Sequence, residues 1–388
     1  MLTKNIYYKN ISIKVNNSRV KKYFKFLLKE NLPLLDTLKK NYKYSYSKKT
    51  VLNLKKFSSF RIIGMGGSAL GAQAIYNFLK NKTKKKIVFI NNLSTNSNYL
   101  IKNKNKSKNL NLIISKSGNT LETIANVNIL IKKSDRNIFI TEKNNNYLRN
   151  IGLKMKAEIL EHKNFIGGRY SVLSEVGMLP AELMGLDEKK FKQLNHLIKN
   201  KNFINKLINN VSATLAMVKK NKCTSIILNY DEKSESLFKW YQQLIAESLG
   251  KKSKGILPVI SNMPSDNHSL MQLYLDGPKN NFFTFFSIIE KNTKKINNNT
   301  ILSSHDYLKN KDIFEIMTSQ RQATEAVFRK KKIPFRSFEI IKRDEKTLGE
   351  LFCFFMLETI LLGRALKVNP FDQPSVELIK IETKKLLI

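Results

Sequence analysis

The chain has almost no cysteine. Cys223 and Cys353 are the only two in 388 residues, far apart, in apolar surroundings and outside any CxxC or Cys/His ligand spacing. A disulfide framework and a structural zinc site are thereby excluded, and two reduced core thiols in a cytoplasmic protein are expected. Long apolar runs are also scarce. The most apolar stretch, LFCFFMLETILLG (351–363), is broken by Glu358 and falls short of the roughly 18 to 20 residues that cross a bilayer, so it reads as a core helix. The first fifteen residues, MLTKNIYYKNISIKV, place Lys4, Lys9 and Lys14 where a signal peptide needs an apolar core; no leader and no membrane partner are expected.

Acidic residues are in short supply as well, with 30 Asp and Glu against 69 Lys and Arg and a formal charge of +39. Such an excess suits phosphate backbones. The lysines, however, are spread along the chain and mixed with asparagine, as in NKTKKK (81–86) and KNKNKSKN (102–109), without interleaved aromatics or a groove-binding motif. They read as solvated loops, and no specific nucleic-acid partner is expected. Neither GxGxxG nor GxxxxGK[ST] occurs, which removes the dinucleotide and P-loop readings.

What is present is a rhythm. From about residue 58, short β-branched or aromatic runs alternate with amphipathic stretches: FRIIG (60–64), KIVFIN (86–91), LNLIIS (110–115), NIFIT (137–141) and AEIL (157–160), with helical SALGAQAIYNFLKN (68–81) and LETIANVNILIKK (121–133) between them. Strand, helix, strand implies right-handed crossovers and a parallel sheet covered on both faces. After a helical connection the rhythm restarts with TSIILNY (224–230), a helix over 234–250, GILPVIS (255–261), FFTFFSIIE (282–290) and FRSFEIIK (335–342). The expected fold is two three-layer α/β/α domains with mainly parallel sheets, over 58–200 and 201–346, with an N-terminal extension (1–57) and a helical C-terminal tail (347–388).

Two strand ends stand out. GMGGSALG (64–71) opens a helix with Gly64, Gly66 and Gly67 free for close backbone approach and Ser68 as a hydroxyl. ISKSGNTLET (114–123) follows a buried strand with Ser115, Lys116, Ser117 and Thr120. A tight turn and a helix cap are the plain readings of each. Two hydroxyl-rich strand ends in one sheet, each leading into a helix start with free N–H groups, suit a phosphate monoester that needs no metal.

GMGGSALG together with SKSGNTLET resembles the sugar-isomerase (SIS) domain. GGRYSVLSEVGMLPAELMG (167–185), QQLIAESLGK (242–251), DNHSLMQLYLDGP (266–278) and FDQPSVELIK (371–380) each resemble a signature segment of the glucose-6-phosphate isomerase family, in that family's order, from about residue 58 to the C-terminus. The chain is short for that family. Ala246 and Leu249 replace more polar neighbours, and residues 1–57 match none of its segments. The resemblance implies two SIS-type domains, a cytoplasmic homodimer without metal or organic cofactor, and a place in glycolysis and gluconeogenesis. The reaction implied is interconversion of glucose 6-phosphate and fructose 6-phosphate through ring opening and a cis-enediol(ate). A dual-specificity phosphoglucose/phosphomannose isomerase is the alternative enzyme. A sugar-phosphate-sensing SIS regulator, which would lack the residues named next, is the alternative of another class.

Moving a proton between neighbouring carbons needs one carboxylate shuttle, and Glu247 is the candidate. Gln243, one helical turn earlier, shares its face, while Leu237, Tyr241, Leu244 and Ser248 are expected to point elsewhere. Taken alone such a Gln/Glu pair is a solvated helix face. An imidazole can pass a proton to a ring oxygen near neutrality, and the resemblance gives this role to His268, donated across the dimer interface. It also implies that Lys380, seven residues after Gln373, assists ring opening. Arg169, after Gly167 and Gly168, can approach developing enediolate charge or form a plain salt bridge. Gly67, Gly168, Gln243 and Gln373 complete the expected substrate contacts. His162, His196 and His305 receive no role.

Overall fold

The apolar runs become strands of two sheets in the computed structural model, which describes residues 1–95 and 109–388. The stretch expected as a solvated loop at 102–109 lies outside the described residues but for Asn109. With β1 (Ile6–Lys9) preceding them, β2 (Ser59–Ile63), β3 (Lys86–Ile90), β4 (Leu110–Ile114), β5 (Arg136–Thr141) and β6 (Glu158–Glu161) pair in parallel in the order β3-β2-β4-β5-β6. Every residue of β4 is buried, as a strand covered by helices on both faces requires. The second sheet, from β7 (Thr224–Asn229), β8 (Leu257–Asn262), β9 (Asn281–Ile288) and β10 (Phe335–Ile340), has the order β1-β10-β9-β7-β8. In β9 the alternation of a strand divides its phenylalanines: Phe282 and Phe286 enter the main core, whereas Phe283 and Phe285 enter a second cluster on the opposite face.

The first 57 residues are woven into both units: Tyr42, Tyr46 and Thr50 donate to Glu175, Glu182 and Glu158 of the first, and the stretch before them joins the second. β1 pairs antiparallel with β10 in the register Ile6↔Ile340 to Lys9↔Ser337. Helix α1 (Ser18–Lys29) packs against the long helix of the tail. Between and after the sheets run α2 (Gly67–Phe78), α3 (Leu121–Leu130), α4 (Lys201–Lys219), α5 (Glu235–Leu249), α6 (Glu345–Leu366) and α7 (Val376–Leu386). α6 is buried almost all round, which places it in the centre of the molecule. α2 of the first unit packs directly on α5 of the second. None of the described helices is long and apolar enough to cross a membrane. Of the two thiols, both free, Cys353 is buried as expected, but Cys223 is exposed; it precedes β7 at the strand's open N-terminal end rather than lying in the sheet.

Glu358, the charge that interrupts the apolar run, is not a defect in α6. It is fully buried and pairs with the equally buried Arg336 of β10. The pair is enclosed by donors and acceptors: Asn210 Nδ2 donates to Glu358 Oε1 at 2.6 Å, Tyr241 Oη to Oε2 at 3.1 Å, and Arg336 Nε to Thr284 Oγ1 at 2.9 Å. Tyr8 donates to Asn210 Oδ1 at 2.7 Å, so β1 joins the same network. Removing one member leaves the other charge buried and uncompensated. Glu358→Leu should therefore destabilise the chain by about 3–5 kcal/mol, and Arg336→Met with Glu358→Leu should cost clearly less than the two single changes together. Urea denaturation of the three variants measures this.

Candidate active site

Both sheets reverse their strand order once, and in the first sheet the reversal lies between β2 and β4. In open α/β sheets the crevice beyond the carboxyl ends of the strands at such a point receives ligands. The two unusual loops leave from there: the glycine turn follows β2 and the hydroxyl loop follows β4. They touch. A Cβ at Gly64 would stand 2.6 Å from the Ile114 carbonyl oxygen and 3.0 Å from Ser68 Cβ, so only glycine permits this approach. Gly66 adopts φ +51°, a left-handed conformation that glycine enters without strain.

Within the hydroxyl loop, Ser115 Oγ and Thr120 Oγ1 are 2.8 Å apart and hydrogen-bonded. Thr120 stands at the N-cap of α3 without capping it by its side chain, and Gly66 leaves α2 similarly uncapped. The helix-cap reading of these hydroxyls therefore does not describe the loop, and the start of α3 keeps N–H groups for an anion, whereas at α2 the Ser68 and Ala69 N–H groups donate to the Met65 and Gly66 carbonyls at 3.0 Å. Ser68 and Ser115 are buried, while Ser117 is exposed and accepts from Asn119 N–H at 3.3 Å. Lys116 lies 3.6 Å from Glu142 with its side chain about one-third exposed.

The third component arrives from the turn at 167–173. A Cβ on Gly67 would stand 2.2 Å from Gly168 C and 2.6 Å from Arg169 N, so the glycine turn is pressed against the start of that segment. Arg169 is 1% exposed and its guanidinium uses every donor. Nε donates to Ser248 Oγ at 2.8 Å, Nη1 to Glu247 Oε1 at 2.9 Å and to Gln373 Oε1 at 2.8 Å, and Nη2 to the carbonyls of Pro370 at 2.7 Å and Asp372 at 3.0 Å. Glu247 Oε2 accepts from Gln243 Nε2 at 2.8 Å, and that same Nε2 would be 2.9 Å from a Cβ on Gly66. Glu247 and Gln243 thus face the glycine turn, with Glu247 still 23% exposed at its side chain. Trp240 Nε1 donates to the Arg169 carbonyl at 3.1 Å. Burial pushes the Tyr170 hydroxyl up to about 12, so it stays protonated and donates to Pro370 O at 3.1 Å.

The structure therefore gathers Gly67, Ser68, Ser115, Thr120, Gly168, Arg169, Gln243, Glu247 and Gln373. Two candidates stand apart. His268 follows β8 with an exposed ring, and Lys380 on α7 is 60% exposed and pairs with Glu377 at 2.6 Å. α7 buries none of its side chains. Arg169 is engaged with Glu247 rather than left with a free N–H. Ser248, expected to point away, is part of the cluster, because the long arginine side chain reaches past Glu247 to the next residue of the helix. The carbonyls of Pro370 and Asp372 were not legible, since a backbone acceptor leaves no residue-type signal, and neither was the packing of Trp240, the only tryptophan, behind Arg169. His162 is buried, and burial lowers its pKa to about 4, so it stays neutral.

The packing at Gly67 can be tested directly. Gly67→Ala should lower stability by about 1–3 kcal/mol, because the methyl group meets backbone that cannot turn aside. Gly168→Ala, where nothing lies within 4 Å of the added carbon, should leave the melting temperature unchanged.

Comparison with known proteins agrees in both sequence and fold. A family model described as phosphoglucose isomerase matches residues 45–387. A probable glucose-6-phosphate isomerase of Methanococcus maripaludis is 33% identical over 341 residues, covering 83% of this chain and 77% of that protein. The glucose-6-phosphate isomerase of Mycoplasmopsis pulmonis is 32% identical over 355 residues, 84% of this chain and 82% of that one. Among solved structures, a hypothetical protein from Thermus thermophilus superposes with a TM-score of 0.81 at 23% identity, over 95% of this chain and 94% of that one. A glucose-6-phosphate isomerase from Chlamydia trachomatis superposes with a TM-score of 0.67 at 19% identity, over 87% and 71%. At these identities the two superpositions speak for the fold.

Proposed function

The chain belongs to the phosphoglucose isomerase family, and from that premise we propose that it interconverts glucose 6-phosphate and fructose 6-phosphate at the crevice between β2, β4 and α5. The observation that carries the reading is the carboxylate of Glu247. It is fixed on both oxygens by Arg169 and Gln243, directly beside the glycine turn, and remains open on one side. It is the aldose-ketose isomerisation base that a metal-free proton shuttle needs.

The phosphate binds at the uncapped starts of α2 and α3, where Ser68, Ser115, Ser117 and Thr120 supply hydroxyls, Lys116 a charge, and Gly168, packed on Gly67, leaves room for close approach. This anchoring places C1 and C2 of the open-chain sugar before Glu247, which takes the proton from one carbon and returns it to the other. The transition state carries enediolate charge. Arg169 answers it with a positive charge already oriented by five hydrogen bonds, so little reorganisation is needed as the charge develops. Gln373, tied to the same guanidinium, and Gln243 line the pocket.

Ring opening needs an acid, and among the described residues the side chains hydrogen-bonded to Glu247 are Arg169 and Gln243. We assign this to His268 of a second copy in a homodimer, with Lys380 assisting once α7 is packed. The exposed ring of His268 and the exposed Leu378 and Ile379 of α7 support an assembly that covers them. The division into SIS domains at 58–200 and 201–346 and a cytoplasmic location complete the reading.

Glu247→Gln retains shape and hydrogen-bonding reach but not basicity. Its kcat on fructose 6-phosphate in a coupled assay should fall about 10²- to 10⁴-fold with KM nearly unchanged; retention of most turnover would place the base elsewhere. Mixing Glu247→Gln with His268→Ala chains should restore roughly a quarter of wild-type activity, because half of the dimers are mixed and each has one intact site. No recovery despite demonstrated subunit exchange would place His268 and Glu247 in one chain's site.

A further inference from the structure

A second site of different chemistry lies at the other end of α2. Past its last residue, Lys82 enters a groove of about 860 Å³ whose remaining walls come from Lys40, from the connection at 187–199 and from the start of α6 at 342–346. Eight of the fourteen residues that line it are lysines, facing only three carboxylates. Along the whole chain 69 residues of 388 are Lys or Arg, so the groove concentrates a charge that is elsewhere dispersed. Three of the lysines have a carboxylate neighbour: Lys82 with Glu345, Lys190 with Asp187 and Lys342 with Asp344. Among the described residues, Lys40, Lys189, Lys199 and Lys346 have none within ion-pair distance. All four line one concavity, and the mutual repulsion of charges gathered there is what a polyvalent anion relieves.

We propose that this groove binds a compact oligophosphate, its unpaired lysines reaching several phosphate groups of one ligand at once. The lining argues for phosphates over a nucleobase, because the one ring in it is the His196 imidazole and, among the described residues, no Phe, Tyr, Trp or aliphatic side chain lines the groove, whereas base recognition relies on stacking surfaces. Its floor is built rather than merely lined: Lys192 and Gln193 are 3% and 5% exposed, and Lys192 donates to the Thr37 carbonyl at 2.6 Å. Since α2 is twelve residues long, about 18 Å of helix at 1.5 Å per residue separates the groove from the glycine turn. The proposal is therefore independent of the sugar-phosphate reading. Because Lys82 belongs to the first unit and Lys342 and Lys346 to the second, a bound ligand would brace the two against each other.

Titration calorimetry of the full chain with tripolyphosphate at about 0.15 M salt tests this. The expected result is one ligand per chain, with affinity falling as salt rises. It should weaken about tenfold or more in Lys199→Gln with Lys346→Gln, through loss of two charge-assisted hydrogen bonds. It should be unchanged in Lys21→Gln with Lys25→Gln, which removes the same charge from the exposed face of α1. Equal weakening in both variants would show non-specific attraction to a basic chain and overturn the proposal. So would binding indifferent to both, which would place the ligand elsewhere, for instance at the hydroxyl loop. ATP should bind within a few-fold of tripolyphosphate, and single-stranded DNA of equal charge no tighter. Marked preference for either would mean that a nucleoside or a nucleic acid is read instead. An unliganded melting temperature unchanged in both variants keeps the comparison free of folding effects.

Discussion

A buried guanidinium must find an acceptor for each of its five N–H groups or charge folding with its desolvation. Arg169 meets that condition by drawing three distant stretches of chain to one point: the turn at 167–173, α5 through Glu247 and Ser248, and the tail through Gln373 and the carbonyls of Pro370 and Asp372. The same satisfied set orients the Glu247 carboxylate. Stability and chemistry are thus two aspects of one hydrogen-bonding constraint. It explains why the packing needs Gly67: the guanidinium can be central only if the Gly168–Arg169 backbone leading to it lies against the glycine turn.

The two sheets share the strand order around their reversal points, yet their electrostatics differ. Between β2 and β4 lie glycines, hydroxyls and two uncapped helix starts. At the corresponding point between β7 and β9 lie Asp231 and Glu290, both held by Arg343. The first arrangement welcomes an anion; the second is already neutralised from within the chain. One topology used twice therefore supplies one phosphate crevice and one structural ion cluster, and α2 packed on α5 carries the crevice of the first unit to the carboxylate of the second.

The fold was legible because its central strands are buried on both faces and need no partner-specific detail; the runs at 60–64, 110–115 and 224–230 are predominantly apolar, broken by polar positions such as Arg61 and Asn111, and the intervening glycines and hydroxyls stop them sharply. Glu247 and Gln243 were legible only through the segment around them, since by spacing alone they resemble any solvated helix face. The acceptors of Arg169 on the main chain were not, and neither was the burial of Ser248, because both depend on where a long side chain from another segment ends. β1 escaped notice for a related reason. Its four residues alternate buried and exposed, and their partner β10 lies more than 300 positions away, so no local period betrays the pairing. Cys223 was misplaced because its apolar neighbours follow it and do not surround it.

The most direct measurement of the central claim is a crystal structure of the chain with fructose 6-phosphate bound. The expected result places the phosphate within hydrogen-bonding distance of the Ser68, Ser115 and Thr120 hydroxyls and of the first N–H groups of α3. C1 and C2 should then lie about 3–3.5 Å from a carboxylate oxygen of Glu247, with the Arg169 contacts intact. Phosphate found between β7 and β9, or sugar carbons directed away from Glu247, would contradict it.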